Sequence, residues 1–204
     1  MSGCALPRLY AIADASFGDP VQLARQLFDG GARLVQIRNK KAGAGELLRQ
    51  VEVVLSFAPP DARVIVNDRV DVVLLSQAHG VHLGQDDLPV EHARAILGDH
   101  AIVGHSTHNL EQALRADERP VDYIAVGPIF TTTSKEKPDP VVGIEKLRGI
   151  CRAVHKPVVA IGGITLDRVA EVFNAGASSV AVISDLLRDS NIVYRTQLWA
   201  AACG

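Results

Sequence analysis

The stretch RVIVNDRVDVVLLSQAHGVHLGQDD, residues 63–87, contains the pattern that decides the fold. Two short apolar segments, 63–67 and 80–83, flank a helical pattern at 69–77. A helix between two strands indicates a parallel pair, because a parallel crossover needs a connecting element of about a dozen residues. The stretch therefore predicts a βαβ unit. Each of its strands runs into polar side chains, Asn67 and Asp68 after the first and Gln85, Asp86 and Asp87 after the second.

The same alternation of strand and helix continues along all 204 residues, with no linker that would mark a domain boundary. Eight such units predict a single (βα)8 TIM barrel over residues 1–204, which is minimal because such barrels usually have about 250 residues. An open doubly wound sheet is the alternative, although no G-x-G-x-x-G follows the first strand. The strand candidates are 9–13, 33–38, 63–67, 80–83, 101–106, 122–127, 157–162 and 179–184. The helical patterns are 20–47 (two helices divided by the second strand), 69–77, 89–97, 108–116, 144–154, 167–175 and a last one after Asp185.

The composition limits the classes of partner. Hydrophobic residues make up 48% of the chain but aromatic residues only 4%, which predicts an aliphatic core. A formal net charge of −2 provides no basic field for nucleic acid, so a small-molecule partner is favoured. The three cysteines form no C-x-x-C pair, so neither a disulfide framework nor a zinc site is indicated. The sequence has no long apolar segment of the kind that directs secretion or membrane insertion. We therefore expect a cytoplasmic protein.

The polar residues at the strand ends are sorted by type. In a barrel, catalytic groups lie at the carboxyl ends of the strands, where the loops converge on one mouth. Here acids follow strands three and four, cations follow strands two and six, and glycines with a hydroxyl follow strands seven and eight. Loops are generally polar, but that tendency alone does not predict such sorting.

Asp68 and Asp87 follow neighbouring strands of the predicted barrel. Their carboxylates would repel each other unless a cation lay between them. Mg2+ takes one or two protein carboxylates and completes its shell with water and phosphate oxygens. Taken singly, either residue could instead cap the helix that follows it. As a pair on adjacent strands they predict a metal site, and Asp86 is expected to face elsewhere.

Two further features indicate an anionic ligand. Gly162 and Gly163 end the seventh strand and Ser184 ends the eighth, which is where barrels commonly bind phosphate, although a tight turn explains two glycines equally well. Arg38, Lys40 and Lys135 would surround the same mouth. A single cation is usually solvated, but three together favour a polyanion such as pyrophosphate.

The histidines near these strand ends are less informative. His82 lies between Val81 and Leu83, and we expect it to be a packed core residue. His105 and His108 flank Ser106 and could reach the mouth, but their spacing does not decide this.

Together the motifs resemble a known family. In order along nearly the whole chain, QIRNK, VNDRVD, GVHLGQDDLP, GHSTH, DYIAVGPIF, TTTSK, VVAIGGI and VAVIS are similar to those of the thiamine phosphate synthases. The resemblance implies a (βα)8 barrel that joins 4-amino-2-methyl-5-hydroxymethylpyrimidine diphosphate to 4-methyl-5-(2-phosphoethyl)thiazole, giving thiamine phosphate and pyrophosphate. It implies a dissociative mechanism, in which pyrophosphate leaves first, and it is compatible with a homo-oligomer.

The resemblance also implies roles for particular residues. Arg38, Lys40, Ser106 and Lys135 would be catalytic, and Asp68 and Asp87 would bind Mg2+. The pyrimidine diphosphate would contact Gln36, Arg38, Lys40, Asn67, Ser106 and Lys135. The thiazole phosphate would contact Thr132, Thr133, Ser134, Gly163, Ile183 and Ser184.

The chain departs from the family pattern at four positions. Asn39 replaces a common Glu, Ala13 and Ser134 each replace a Thr, and His105 replaces a Val. Two alternatives remain open: a thiazole tautomerase with the same fold, and a non-catalytic barrel that binds a phosphorylated thiazole for regulation. Such tautomerases tend to lack the paired acids and to carry His where this chain has Pro128.

Overall fold

The computed structural model describes residues 6–132 and 140–204. Eight parallel strands close into a barrel in sequence order, with β1 hydrogen-bonded to both β2 and β8, so the predicted (βα)8 fold is confirmed. The strands are β1 Leu9–Asp14, β2 Leu34–Arg38, β3 Arg63–Asn67, β4 Gly80–Leu83, β5 Ile102–Thr107, β6 Tyr123–Val126, β7 Val158–Ile161 and β8 Ser179–Val182. The helices are α1 Pro20–Asp29, α2 Ala44–Phe57, α3 Val70–Ser76, α4 Val90–Leu97, α5 Leu110–Asp117, α6 Ile144–Ala153, α7 Val169–Asn174, α8 Ser184–Leu187 and α9 Ile192–Cys203.

The barrel wall separates two apolar cores. Successive side chains of a strand point to opposite faces, so on β2 Val35 and Ile37 pack against the helices whereas Leu34 points into the barrel. The inner core is small and fills the amino-terminal part of the barrel, and it leaves a cavity above it at the carboxyl ends of the strands. Its buried members are Tyr10, Ile12, Leu34, Ile65, Ile102, Tyr123, Ala125, Val159 and Ala181.

The second helix is longer than the sequence pattern predicted. The first helical span was expected to end at residue 47, but α2 continues to Phe57. Leu47, Val51 and Val54 recur at helical spacing and face the outer core, but the β-branched segment VEVV at 51–54 obscures this period. Ala58 is extended, as expected for a residue before the Pro59-Pro60 pair, and the helix ends there.

The single helix expected after Asp185 is two helices. The short α8 begins at Ser184, and α9 follows and packs against α1. Trp199 of α9 is fully buried, and its indole N–H donates to the Asp185 carboxylate at 2.7 Å, which ties the two helices together. Within the described ranges, no helix has the length and apolar character needed to cross a membrane.

Candidate active site

A cavity of about 560 Å3 opens at the carboxyl ends of the strands. The structure brings together around it every predicted site residue that it describes, while Thr133, Ser134 and Lys135 lie outside the described residues. The lining therefore gathers side chains that are far apart in the sequence. The predicted residues that line it are Gln36, Arg38, Lys40, Asn67, Asp68, Asp87, Ser106, Thr132, Gly163, Ile183 and Ser184.

The two predicted acids meet on one side of this cavity. Asp68 follows β3 in the left-handed region, with φ of 63°, and its backbone N–H donates to the His82 carbonyl at 2.9 Å. Burial raises the pKa of the Asp87 carboxyl; the Gly84 N–H, 2.7 Å from its Oδ2, lowers it in part, and a hydrogen bond and charge repulsion from Asp68 raise it further. Asp86 is exposed and also borders the cavity, and the expectation that its side chain faces elsewhere stays a prediction.

Helix capping does not account for the two acids. The residue that caps α3 is Arg69 and the one that caps α4 is Pro89, and neither end has a side-chain capping hydrogen bond. The Asp87 carboxylate instead accepts from the backbone of Gly84 in its own loop, which holds it at the mouth. The capping alternative is therefore not what the structure contains.

Each described cation at the mouth has an acidic partner. The Lys40 ammonium lies 3.1 Å from Asp68 Oδ2, and the Arg38 guanidinium donates to the carboxylate of Asp14. Asp14 is only 3% exposed and also accepts from the backbone and the hydroxyl of Ser16, at 2.9 and 2.7 Å. Arg38 is consequently fixed in position by a buried carboxylate. We call Arg38, Lys40, Asp68 and Asp87 the rim.

The glycines after β7 are required by close backbone packing. Gly163 has φ of 66°, and a Cβ there would lie 2.4 Å from the Thr131 carbonyl oxygen. The segment after β6 is thereby held against β7, since Ile129 N–H donates to the Ile161 carbonyl at 2.9 Å. The chain returns to the same place, where Gly143 N–H donates to the Ile129 carbonyl at 3.2 Å.

A second cavity of about 500 Å3 adjoins this side. It shares Thr132, Gly163 and Ser184 with the main cavity and is lined further by Arg188 and Arg195. Arg195 is paired with Asp185 at 2.7 Å. The glycine and hydroxyl groups predicted for a phosphate thus lie where the two cavities join.

Below the rim, five polar side chains are hydrogen-bonded in a row, and we call this row the floor network. Its members are Gln36, Tyr10, Tyr123, His82 and Ser106. Sequence reasoning missed both tyrosines and described His82 as a packed core residue. That description was incomplete, because the His82 imidazole is only partly buried, lines the cavity and bonds at both nitrogens.

Comparison with known proteins identifies the family. The family model for thiamine monophosphate synthase matches residues 9–186. The thiamine-phosphate synthase of Koribacter versatilis is 49% identical over 195 residues, which cover 92% of each chain, and that of Anaeromyxobacter dehalogenans is 48% identical over 88% of this chain and 80% of its own. The chain belongs to the thiamine-phosphate synthase family. It is therefore a transferase of thiamine-phosphate synthesis, and the function expected from its motifs is confirmed.

A solved structure of a synthase-family member has the same fold. The thiamine phosphate pyrophosphorylase of Pyrococcus furiosus superposes with a TM-score of 0.89 at 35% identity, covering 97% of this chain and 95% of that one. The corresponding protein of Bacteroides thetaiotaomicron is only 18% identical, and its TM-score of 0.70 supports the barrel fold alone.

Two departures from the family pattern lie outside the cavity lining. The Asn39 side chain donates to Gln50 at 3.2 Å and accepts from the backbone N–H of Lys41 and Ala42, so it shapes the loop that enters α2. His105 is 5% exposed and points outward from β5, and Gln85 donates to its Nε2 at 2.9 Å. Burial lowers the pKa of the His105 imidazole. Neither departure removes a side chain from the synthase-family rim.

Proposed function

We propose that this enzyme joins the pyrimidine diphosphate and the thiazole phosphate named above, with Mg2+ as cofactor and pyrophosphate as the second product. The observation that carries this proposal is the meeting of Asp68 and Asp87 beside Lys40 and Arg38 at one mouth. Paired acids suit a divalent cation, and neighbouring cations suit a diphosphate. The substrate identities come from the family to which the chain belongs.

The two acids fit a magnesium ion. Their carboxylate oxygens are hard ligands, and their mutual repulsion, together with burial, disfavours the charged form of Asp87 in the absence of a cation. Among residues 6–132 and 140–204, no group of three or more His, Cys, Asp or Glu side chains could hold a metal. Mg2+ can bind through only two protein carboxylates and take its other ligands from water and phosphate. When bound, Mg2+ would stabilise negative charge on the departing pyrophosphate.

The side chains of the rim would act by charge and position. Arg38, held by Asp14, and Lys40 would bind the diphosphate and stabilise the charge that builds up as the carbon–oxygen bond of the pyrimidine methylene breaks. Gln36 and Asn67 would orient the pyrimidine ring. The thiazole nitrogen would then capture the methylene cation, so the reaction needs no nucleophile from the protein.

The thiazole phosphate would lie at the junction of the two cavities. Gly163, Ser184 and Thr132 line both cavities. The backbone N–H groups of the first two and the hydroxyl of Thr132 would bind the phosphate. Ile183 would pack beside the thiazole. Contacts from Thr133, Ser134 and Lys135 stay predictions, as do the homo-oligomer and the cytoplasmic location.

The direct test is an assay of the purified chain with both substrates, with and without a metal chelator. We expect thiamine phosphate and pyrophosphate in equal amounts, and no turnover until Mg2+ is returned to the chelated enzyme. Isomerisation of a thiazole carboxylate phosphate without condensation would indicate the tautomerase instead. Binding of the thiazole phosphate without any turnover would indicate the regulatory barrel. Undiminished turnover in chelator would remove Mg2+ from the proposal.

A further inference from the structure

The floor network is one continuous hydrogen-bonded chain. Gln36 Nε2 lies 2.8 Å from the Tyr10 hydroxyl, which lies 3.0 Å from the Tyr123 hydroxyl. The Tyr123 hydroxyl lies 2.9 Å from His82 Nδ1, and His82 Nε2 lies 2.9 Å from Ser106 Oγ. The His82 ring also stacks on the Tyr123 ring, with centroids 5.7 Å apart and planes inclined by 14°. Stacking as well as hydrogen bonding therefore fixes the positions of the His82 and Tyr123 rings.

The number of protons available determines which group donates in each hydrogen bond of the floor network. The Gln36 amide nitrogen can only donate, so the Tyr10 oxygen accepts from it. Within the described part of the protein, the hydroxyl of Tyr10 has only Gln36 and Tyr123 as hydrogen-bond partners, so its single proton goes to Tyr123. Tyr10 is 1% exposed and would otherwise bury an unused donor, which is costly.

Both tyrosines keep their protons. Burial raises the pKa of Tyr10 and that of Tyr123 well above the usual value for a phenol. Because Tyr123 accepts from Tyr10, its own proton is available to His82 Nδ1. A neutral imidazole that accepts at Nδ1 carries its proton at Nε2.

We propose that the floor network holds His82 as the Nε2–H tautomer and thereby makes the Ser106 hydroxyl a donor directed into the cavity. His82, Tyr123 and Tyr10 are then positioning residues for the departure of pyrophosphate, an inference that rests on the proposed function. His82 Nε2–H occupies a lone pair of Ser106 Oγ, so the single serine proton is left for the ligand.

The opposite direction would suit the reaction poorly. If Ser106 donated its proton to His82, the hydroxyl would present only lone pairs to an oxygen that is gaining negative charge. A donor fixed before the reaction stabilises that charge without reorganisation, which is the advantage of a preorganised site. The direction of the hydrogen bonds in the floor network therefore determines whether Ser106 assists the leaving group or opposes it.

The tautomer can be measured without turnover. We would label the histidines of the full chain with 15N, assign His82 by comparison with His82→Gln, and read the two ring nitrogens by NMR in the absence of substrates. We expect a protonated Nε2 and an unprotonated Nδ1. A proton on Nδ1 in the wild-type protein would overturn the inference, whatever the activity.

The kinetic consequence is tested by a double-mutant cycle. We expect Tyr123→Phe to lower kcat about tenfold with the KM of the pyrimidine diphosphate unchanged, since one hydrogen bond is lost from the chain. In a Ser106→Ala background the same change should have no further effect, because the network acts through Ser106. Additive losses would overturn the coupling. An inactive wild-type chain with the expected tautomer would instead contradict the proposed function and leave the tautomer assignment standing.

Two further variants serve as controls. Tyr10→Phe leaves the Tyr123 hydroxyl donating to His82 Nδ1, so we expect the tautomer to be unchanged and kcat to fall less than in Tyr123→Phe. A larger loss of kcat in Tyr10→Phe than in Tyr123→Phe would overturn the proposed direction of the hydrogen bonds in the floor network. Tyr194→Phe removes a hydroxyl from the exposed face of α9 and should change neither the His82 tautomer nor kcat.

Discussion

The rim and the floor network of this cavity are polar in different ways. The rim is charged and partly solvated: in the ion pair of Lys40 with Asp68, the two side chains are 56% and 23% exposed. The floor network is neutral, and Tyr10 and Tyr123 are 1% and 0% exposed. Charges near water can exchange one partner for another at modest cost, whereas buried neutral groups must be satisfied permanently by one another. The difference indicates that the rim binds and releases, while the floor network holds a fixed geometry.

The largest effect should come from removing a rim carboxylate. We expect Asp87→Ala to lower kcat about a thousandfold while the protein remains folded, because one of two proposed metal ligands is lost. Turnover measured against Mg2+ concentration checks this. Asp86→Ala is the matched control, since Asp86 is an exposed neighbour in the same loop, and its turnover should stay within a few-fold of wild type. Unchanged turnover in Asp87→Ala would remove the metal assignment.

A smaller effect is expected where the rim meets the buried interior. Asp14→Asn should lower the free energy of unfolding by about 3 kcal/mol, because it leaves the Arg38 guanidinium without its buried carboxylate. The KM of the pyrimidine diphosphate should rise about tenfold as Arg38 loses its fixed position. Denaturant unfolding and steady-state kinetics measure the two. Ser16→Ala removes one hydrogen bond to Asp14 but keeps the ion pair, so an equal effect from Ser16→Ala would contradict the assignment.

The backbone after β7 should respond to a single methyl group. We expect Gly163→Ala to lower the free energy of unfolding by about 2 kcal/mol, because the residue has φ of 66° and the new Cβ would meet the Thr131 carbonyl oxygen. Thermal and denaturant unfolding report the change. Gly149→Ala, in the interior of α6 with open space around it, should instead stabilise by about 0.5 to 1 kcal/mol. A Gly163→Ala variant that is as stable as the wild type, or more stable, would show that close packing does not constrain Gly163.

The smallest effect should come from an ion pair that belongs to neither region. Arg119 donates two hydrogen bonds to Glu91, at 2.7 and 2.8 Å, and holds the pKa of Glu91 at about 2. The folded pKa lies below the usual 4.5, so the stabilisation is present above about pH 4.5 and is lost as the pH falls to about 2. Because the pair is on the surface, Glu91→Gln should cost less than about 1 kcal/mol near pH 7. Unfolding of both proteins at several pH values tests this, and a difference that grows on acidification would contradict it.

The barrel could be predicted because its signal is periodic and local. Each predicted strand overlaps an observed one within about two residues at either end, whereas α2 was cut short because its β-branched run resembles a strand. The rim positions followed from another local rule, that polar residues at the ends of parallel strands share one mouth. Asp14 as the partner of Arg38 could not be read in this way, since their contact depends on the register of β1 against β2.

The floor network could not be predicted from the sequence, for a related reason. β4 has only four residues, so the apolar neighbours of His82 do not reveal which face of the strand is inward. Tyr123 is 41 residues further along, and its hydroxyl on β6 reaches His82 on β4 across the intervening β5. Contacts made inside a barrel are set by its tilt and stagger, which no single strand encodes.

Two hydrogen bonds hold the ends of the segment after β6 side by side. The Ile129 N–H donates to the Ile161 carbonyl of β7, and the Gly143 N–H donates to the Ile129 carbonyl. Ile129 and Gly143 therefore fix where the chain leaves the barrel wall and where it rejoins it. Because both hydrogen bonds involve Ile129, a change at this residue would displace the two ends together.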